Sequence, residues 1–144
     1  MVNIMTELER GSRTKPPTDS EKITINLGFV DLGHIDLLVR EGFYSNRTDF
    51  IRTAIRNQAE RHADAARQSV IRNSLVLGLR YYSRSDLEAA RAAGVLLDIR
   101  VLGLASIAAD VTPELARAAI ASVSVLGTLQ ASAAVKAALA DRMR

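Results

Sequence analysis

Three polar side chains recur at alternate positions in the run KITINL: Lys22, Thr24 and Asn26. Each type can address the edge of a DNA base. Lysine reaches guanine O6 and N7, asparagine pairs bidentately with adenine, and threonine donates, accepts or touches a thymine methyl. A second polar group, Asn46-Arg47-Thr48, stands where a helix is expected to begin. Free backbone N–H groups at such a start attract a phosphate, and the Arg47 guanidinium and Thr48 hydroxyl can add to the hold. The first group has the chemistry of base readout. The second has the chemistry of backbone anchoring, which fixes register without reading sequence.

These residues can act only if something presents them. In residues 22–27 the apolar Ile23, Ile25 and Leu27 alternate with the polar set, the period of a half-buried strand. One such strand is not a sheet, and the elements after it read as helices. Its nearest partner is the same strand of a second chain, antiparallel across a two-fold axis. The resulting two-stranded ribbon fits the major groove of B-DNA. A first helix is expected from an N-cap at Asp31, with Val30 and Ile35 as a hydrophobic staple. Leu32, Ile35, Leu38 and Val39 form its apolar stripe, and Gly42 its left-handed C-terminal cap. Gly33 sits inside it at a cost of about 1 kcal/mol relative to alanine. A second helix is expected from Asn46, with Asp49 at the capping-box position, running to about Ala66. Phe50, Ile51 and Ile55 lie on its buried face. Together with Ile23, Ile25, Leu27, Ile35 and Leu38 they are the expected dimer core.

Strand KITINL, a helix, the glycine turn EGFYSNRT and the helix DFIRTAIRNQ resemble, in this order, the MetJ/Arc/CopG-type ribbon-helix-helix family of bacterial DNA-binding proteins. The resemblance covers residues 22 to about 62. It implies that Lys22, Thr24 and Asn26 read bases, and that Asn46, Arg47 and Thr48 surround a phosphate. Some members resemble nickel-sensing repressors, which use several histidines and often a cysteine. This chain has two histidines, His34 and His62, and no cysteine, so no metal and no cofactor are expected.

Residues 69–144 differ in texture, being rich in alanine and long apolar runs. Val-Leu-Gly recurs at Val76, Val101 and Val125, at steps of 25 and 24 residues. A helical stretch follows each copy: Arg84–Ala93, Thr112–Ala121 and Ala133–Arg142. Thr112-Pro113 has the N-cap and first-turn signature of a helix start. Strand then helix at a fixed period predicts about three βα units on a parallel sheet. The expected fold class is therefore α+β: a flexible, solvated tail over 1–21, in which Arg10, Arg13 and Lys15 are the groups able to touch DNA, a ribbon-helix-helix domain over 22–66, and a βα-repeat domain over 69–144. Three short units cannot easily bury both sheet faces and both edges, so the repeats are expected to join dimers or bind an effector or protein partner.

The chain has 144 residues and a net charge of +3, which permits nucleic-acid binding without requiring it. The absence of cysteine fits a reducing cytoplasm, and no long apolar run or signal-peptide core is seen. Glycine-rich phosphate loops, HExxH and GxSxG are missing. The acidic pairs Asp86/Glu88 and Asp110/Glu114 suit helix starts, so no enzyme is expected. The expected function is a cytoplasmic, nucleoid-associated, sequence-specific transcriptional regulator of the repressor kind, a homodimer with higher-order assembly on double-stranded DNA. Two other readings compete. One is an antitoxin or partition-type adaptor holding a protein partner through residues 69–144; the other is a self-assembling structural protein.

Overall fold

The computed structural model describes residues 20–144; the expected tail, with Arg10, Arg13 and Lys15, lies outside them. Residues 20–28 form neither helix nor strand within the single chain. Helix α1 (Phe29–Arg40) follows, starting earlier than its sequence suggests. Gly28 stands at the N-cap in extended conformation, and its carbonyl accepts the first helical bond from the Leu32 N–H (3.0 Å). Asp31 therefore lies in the first turn, where its charge complements the helix dipole instead of capping. Val30 joins the helix, so it does not precede a cap as a staple requires.

The end of α1 is as expected. Gly42 has φ +84°, its N–H donates to Val39, and the Phe43 N–H donates to Leu38. That is the paired bonding of a left-handed helix terminus, a backbone state that favours glycine. Helix α2 (Arg47–Arg61) opens on Asn46 and packs against α1. The helix expected to reach about Ala66 breaks instead at His62 (φ −106°). Helicity resumes in α3 (Ala63–Arg72), whose alanine, arginine and glutamine favour it.

Strand β1 (Val76–Tyr82), helix α4 (Arg84–Ala92), strand β2 (Leu97–Ile107), helix α5 (Pro113–Ala119), strand β3 (Ile120–Gln130) and helix α6 (Ala133–Ala138) complete the chain, with a final 3-10 turn over Ala140–Arg142. The sheet is parallel throughout, in the order β1-β2-β3. Each helix starts on a hydroxyl cap: Ser83, Thr112 and Ser132 accept from the N–H of Asp86, Leu115 and Val135. Ser83 and Asp86 form a reciprocal capping box, and the Ser83 bonds hold the Asp86 carboxyl below its ordinary pKa. The second helix ends two residues before its expected limit at Ala121. The chain passes from Ala119 directly into β3 because Ile120 is fully buried in the core.

All three helices cover one face of the sheet. Leu87, Leu115, Ala116, Ala119, Val135 and Leu139 pack there on Ile99, Val101, Ala105, Ile107 and Val123. The opposite face carries Leu77, Leu79, Tyr81 and Leu126, all exposed, with Leu102 and Leu104 half-buried between them. Parallel sheets are ordinarily covered on both faces; among the described residues, helices cover only one face of this sheet.

The repeated glycines set the register: Gly78 lies opposite Gly103, and Gly103 opposite Gly127. All three have positive φ, at +115°, +137° and +122°. A Cβ on Gly103 would fall on the Gly78 carbonyl oxygen, and one on Gly127 on the Gly103 carbonyl oxygen. A Cβ on Gly78 would meet nothing within 4 Å. In urea unfolding, Gly78→Ala is expected to cost about 1–3 kcal/mol, the cost of left-handed strain alone. Gly103→Ala and Gly127→Ala should cost a further ~1–3 kcal/mol each for the added overlap; equal losses at all three positions would refute the close-approach account. Gly33 is exposed inside α1 with open space around its Cβ position. Gly33→Ala should therefore stabilise by about 1 kcal/mol, seen as a higher melting temperature.

Candidate nucleic-acid interface

The start of α2 is the best-built part of the site. The Asn46 side-chain oxygen accepts from the Asp49 N–H at 2.8 Å. The Asp49 carboxylate reaches back to the Ser45 N–H at 3.0 Å, one residue beyond the partner a capping box prescribes. The N–H groups of Arg47 and Thr48 precede the first helical bond, so they lack an intrahelical acceptor. Asn46, Arg47 and Thr48 are thus brought together, exposed, around the positive end of a helix of 15 residues. Tyr44 packs edge-on against Phe50, with ring centroids 5.0 Å apart, and pins the preceding turn. Phe43 beside it stays exposed.

Arg47 has a partner that sequence reasoning missed. Its Nε and Nη2 donate to the two carboxylate oxygens of Asp36 on α1, at 2.7 and 2.8 Å. This planar two-point grip is the geometry arginine also uses on phosphate. The hydrogen bonds from Arg47 lower the Asp36 pKa, and those to Asp36 raise that of Arg47. The pair is eleven residues apart in sequence and depends on the turn between the helices, so no local spacing rule signals it.

Lys22, Thr24 and Asn26 are all exposed on the segment before α1. Their apolar neighbours are exposed too: Ile23 by 72%, Ile25 by 56% and Leu27 by 41%. Of the other expected core residues, Ile35 is buried, Leu38, Phe50 and Ile51 are half-buried, and Ile55 is exposed. Phe29, Val30 and Leu37 on α1 add to this open apolar surface. Glu21, just ahead of the polar set, is hydrogen-bonded by the Thr128 hydroxyl of β3, which brings the start of the segment against the outward sheet face.

The other polar candidates have local duties. Glu88 pairs with Arg84 at 2.8 Å, and Glu114 lies in the first turn of α5. The His62 ring lies 3.3 Å from the Gln58 amide. Among the described residues, no group of three or more His, Cys, Asp or Glu side chains could hold a metal ion, and no helix is long and apolar enough to cross a membrane.

A capped two-helix unit carrying Arg47 at the start of its second helix, preceded by an alternating polar and apolar segment, has the parts that a DNA-binding transcriptional regulator uses. The particular family follows from the sequence match: residues 18–136 fit the model of the Ribbon-Helix-Helix transcriptional regulator family, and the chain belongs to that family. The match runs well beyond residue 62, where the resemblance read from the sequence ended, and takes in all three strands and part of α6. Comparison with curated proteins and with solved structures gave no match. Members of the family bind DNA, usually as dimers, and are normally not enzymes.

The Asp36–Arg47 pair has a definite pH signature. A carboxyl whose pKa falls on folding adds stability above its unfolded value and loses it as pH drops through the folded one. The melting-temperature difference between the parent and Asp36→Asn should therefore be constant from about pH 5 to 8 and close as pH falls below about 4. A difference that changes between pH 5 and 8 would contradict the pairing.

Proposed function

We propose that the protein is a sequence-specific transcriptional repressor, acting on DNA in the bacterial cytoplasm as a homodimer whose paired segments 22–27 lie in the major groove. The observation that carries this reading is the uncovered apolar face of that segment. Ile23, Ile25 and Leu27 alternate with Lys22, Thr24 and Asn26, yet among the described residues of one chain they have neither a strand partner nor a core. A second copy supplies both, since antiparallel pairing across a two-fold axis satisfies the backbone and places the apolar side chains over the helices. The polar set then projects outward from both strands, and a two-stranded ribbon is of the width the major groove accepts.

In this reading the ribbon reads and the start of α2 holds. Six outward residues per dimer form a small reading set, so phosphate contacts at Asn46, Arg47 and Thr48 supply much of the affinity. Arg47 comes to the DNA already oriented by Asp36, and a phosphate within reach competes with that carboxylate for the same fork of donors. Residues 69–144 join dimers to one another. That role suits a sheet with an apolar face and an edge uncovered.

Binding sites selected from random DNA provide the test. Thr24→Ala and Asn26→Ala should each lose about 1–3 kcal/mol at their own base positions and relax specificity there. Arg47→Ala or Thr48→Ala should weaken binding to all sequences alike and, for Arg47, flatten the salt dependence. Specific binding left intact in the Thr24 and Asn26 variants would rule out the ribbon as the reader.

A further inference from the structure

The three strands are joined by one repeated junction. At β1–β2 and again at β2–β3, valine faces valine, leucine faces leucine and glycine faces glycine. At each junction the carbonyl of one glycine fills the space that a Cβ of the next would need. Gly78, on the outer edge of β1, has the same positive-φ conformation, but the corresponding space beyond it is empty. Among the described residues, nothing pairs with that edge.

The far edge of the sheet is its complement. On the outer side of β3, Met143 bridges Val123, and the Val123 carbonyl accepts from the Arg144 N–H at 2.9 Å. From Val125 onward, among the described residues, that side carries no strand. β1 has seven residues against eleven in each of the other strands, and it begins at the Val-Leu-Gly motif. Placed beside β3 with Gly78 opposite Gly127, it would start at Val125, two residues past the bridged Val123, and run along the unpaired stretch. Leucine burial follows the same logic. Leu102, flanked on both sides, is half-buried, whereas Leu77 and Leu126, flanked on one side only, are 71% and 57% exposed.

We propose that a second copy of the chain completes the ladder: β3 of one copy pairs in parallel with β1 of another, with Gly127 opposite Gly78. The contact is head-to-tail, so it propagates from copy to copy instead of closing on itself in pairs. Combined with a two-fold contact at the ribbon, it links dimers into rows. This rests on the reading of residues 69–144 as the part that joins dimers, and is independent of which bases the ribbon reads.

The chain contains no cysteine, so introduced thiols report cleanly. Leu77→Cys and Leu126→Cys are combined in the full-length protein. Within one copy the two positions are two strand spacings apart, about 10 Å, beyond the roughly 7 Å reach of a disulfide. Between copies the proposed register makes them direct neighbours. Mild oxidation should give a ladder of covalent dimers, trimers and larger species for the double variant. An equal mixture of the two single variants should stop at covalent dimers, and each single variant alone should give none. Efficient linking by Leu77→Cys alone would instead show two β1 edges meeting across a two-fold axis, and would overturn the proposal. Light scattering separates the two levels of the claim. Large particles without the double-variant ladder would leave the joining role standing and overturn the edge pairing; particles no larger than a dimer would overturn both. Gly78→Ala should reduce the particle mass to that of a dimer while keeping the helical circular dichroism, and an unchanged mass would also count against the pairing.

Discussion

The C-terminal half of the molecule hangs on a close approach between backbones. The Gly78 carbonyl sits where a side chain on Gly103 would begin, and the Gly103 carbonyl does the same to Gly127. No other residue type permits both the positive φ and the proximity. With the glycines in line, the valines and leucines beside them fall in line too. The buried row through Val101 then stands under the helices, and the helices stand beside one another. A strand slipped by one residue would turn its core residues to solvent and drive a side chain into a neighbouring main chain. The register is therefore set sterically as well as by hydrophobic patterning.

The N-terminal unit is held by different means. Among the described residues of its two helices, only Ile35 of α1 is buried within a single chain. What defines the unit is the turn between the helices: the left-handed Gly42, the Tyr44–Phe50 contact, the Asn46 cap and the Asp36–Arg47 pair act within a few residues of each other. They fix the angle at which the second helix presents its positive end while leaving much of the apolar surface open. A unit built in this way has a defined shape but an incomplete core, as expected of half of a two-fold assembly.

Much of this was legible in the sequence because the signals were local. The Asn46 cap, the Gly42 terminus and the Thr112-Pro113 start are each written in two or three adjacent residues. The βα order came from a repeat of fixed period. Where the sequence misled, a non-local or backbone effect had decided the outcome. Asp31 looked like a cap because it has an accepting side chain, yet the helix starts from the bare backbone of Gly28. The break at His62 has neither glycine nor proline to announce it. β3 follows α5 without a loop, with the junction residue Ile120 fully buried in a core that also takes in Val135 and Leu139 from further along the chain. The Asp36–Arg47 pair depends on how two helices fold back on each other. Which sheet face is covered could not be read either, because leucine and valine occupy both sides of each strand.

The uniform junction between strands also bears on how such a chain can change over evolutionary time. Every unit meets its neighbour through the same Val-Leu-Gly triad, so a duplicated or deleted block of about 24 residues leaves that triad facing its own kind at each surviving junction. The sheet can lengthen or shorten by whole strands while the two edges remain what they were. The length of this half of the chain can thus change in steps of one strand and one helix.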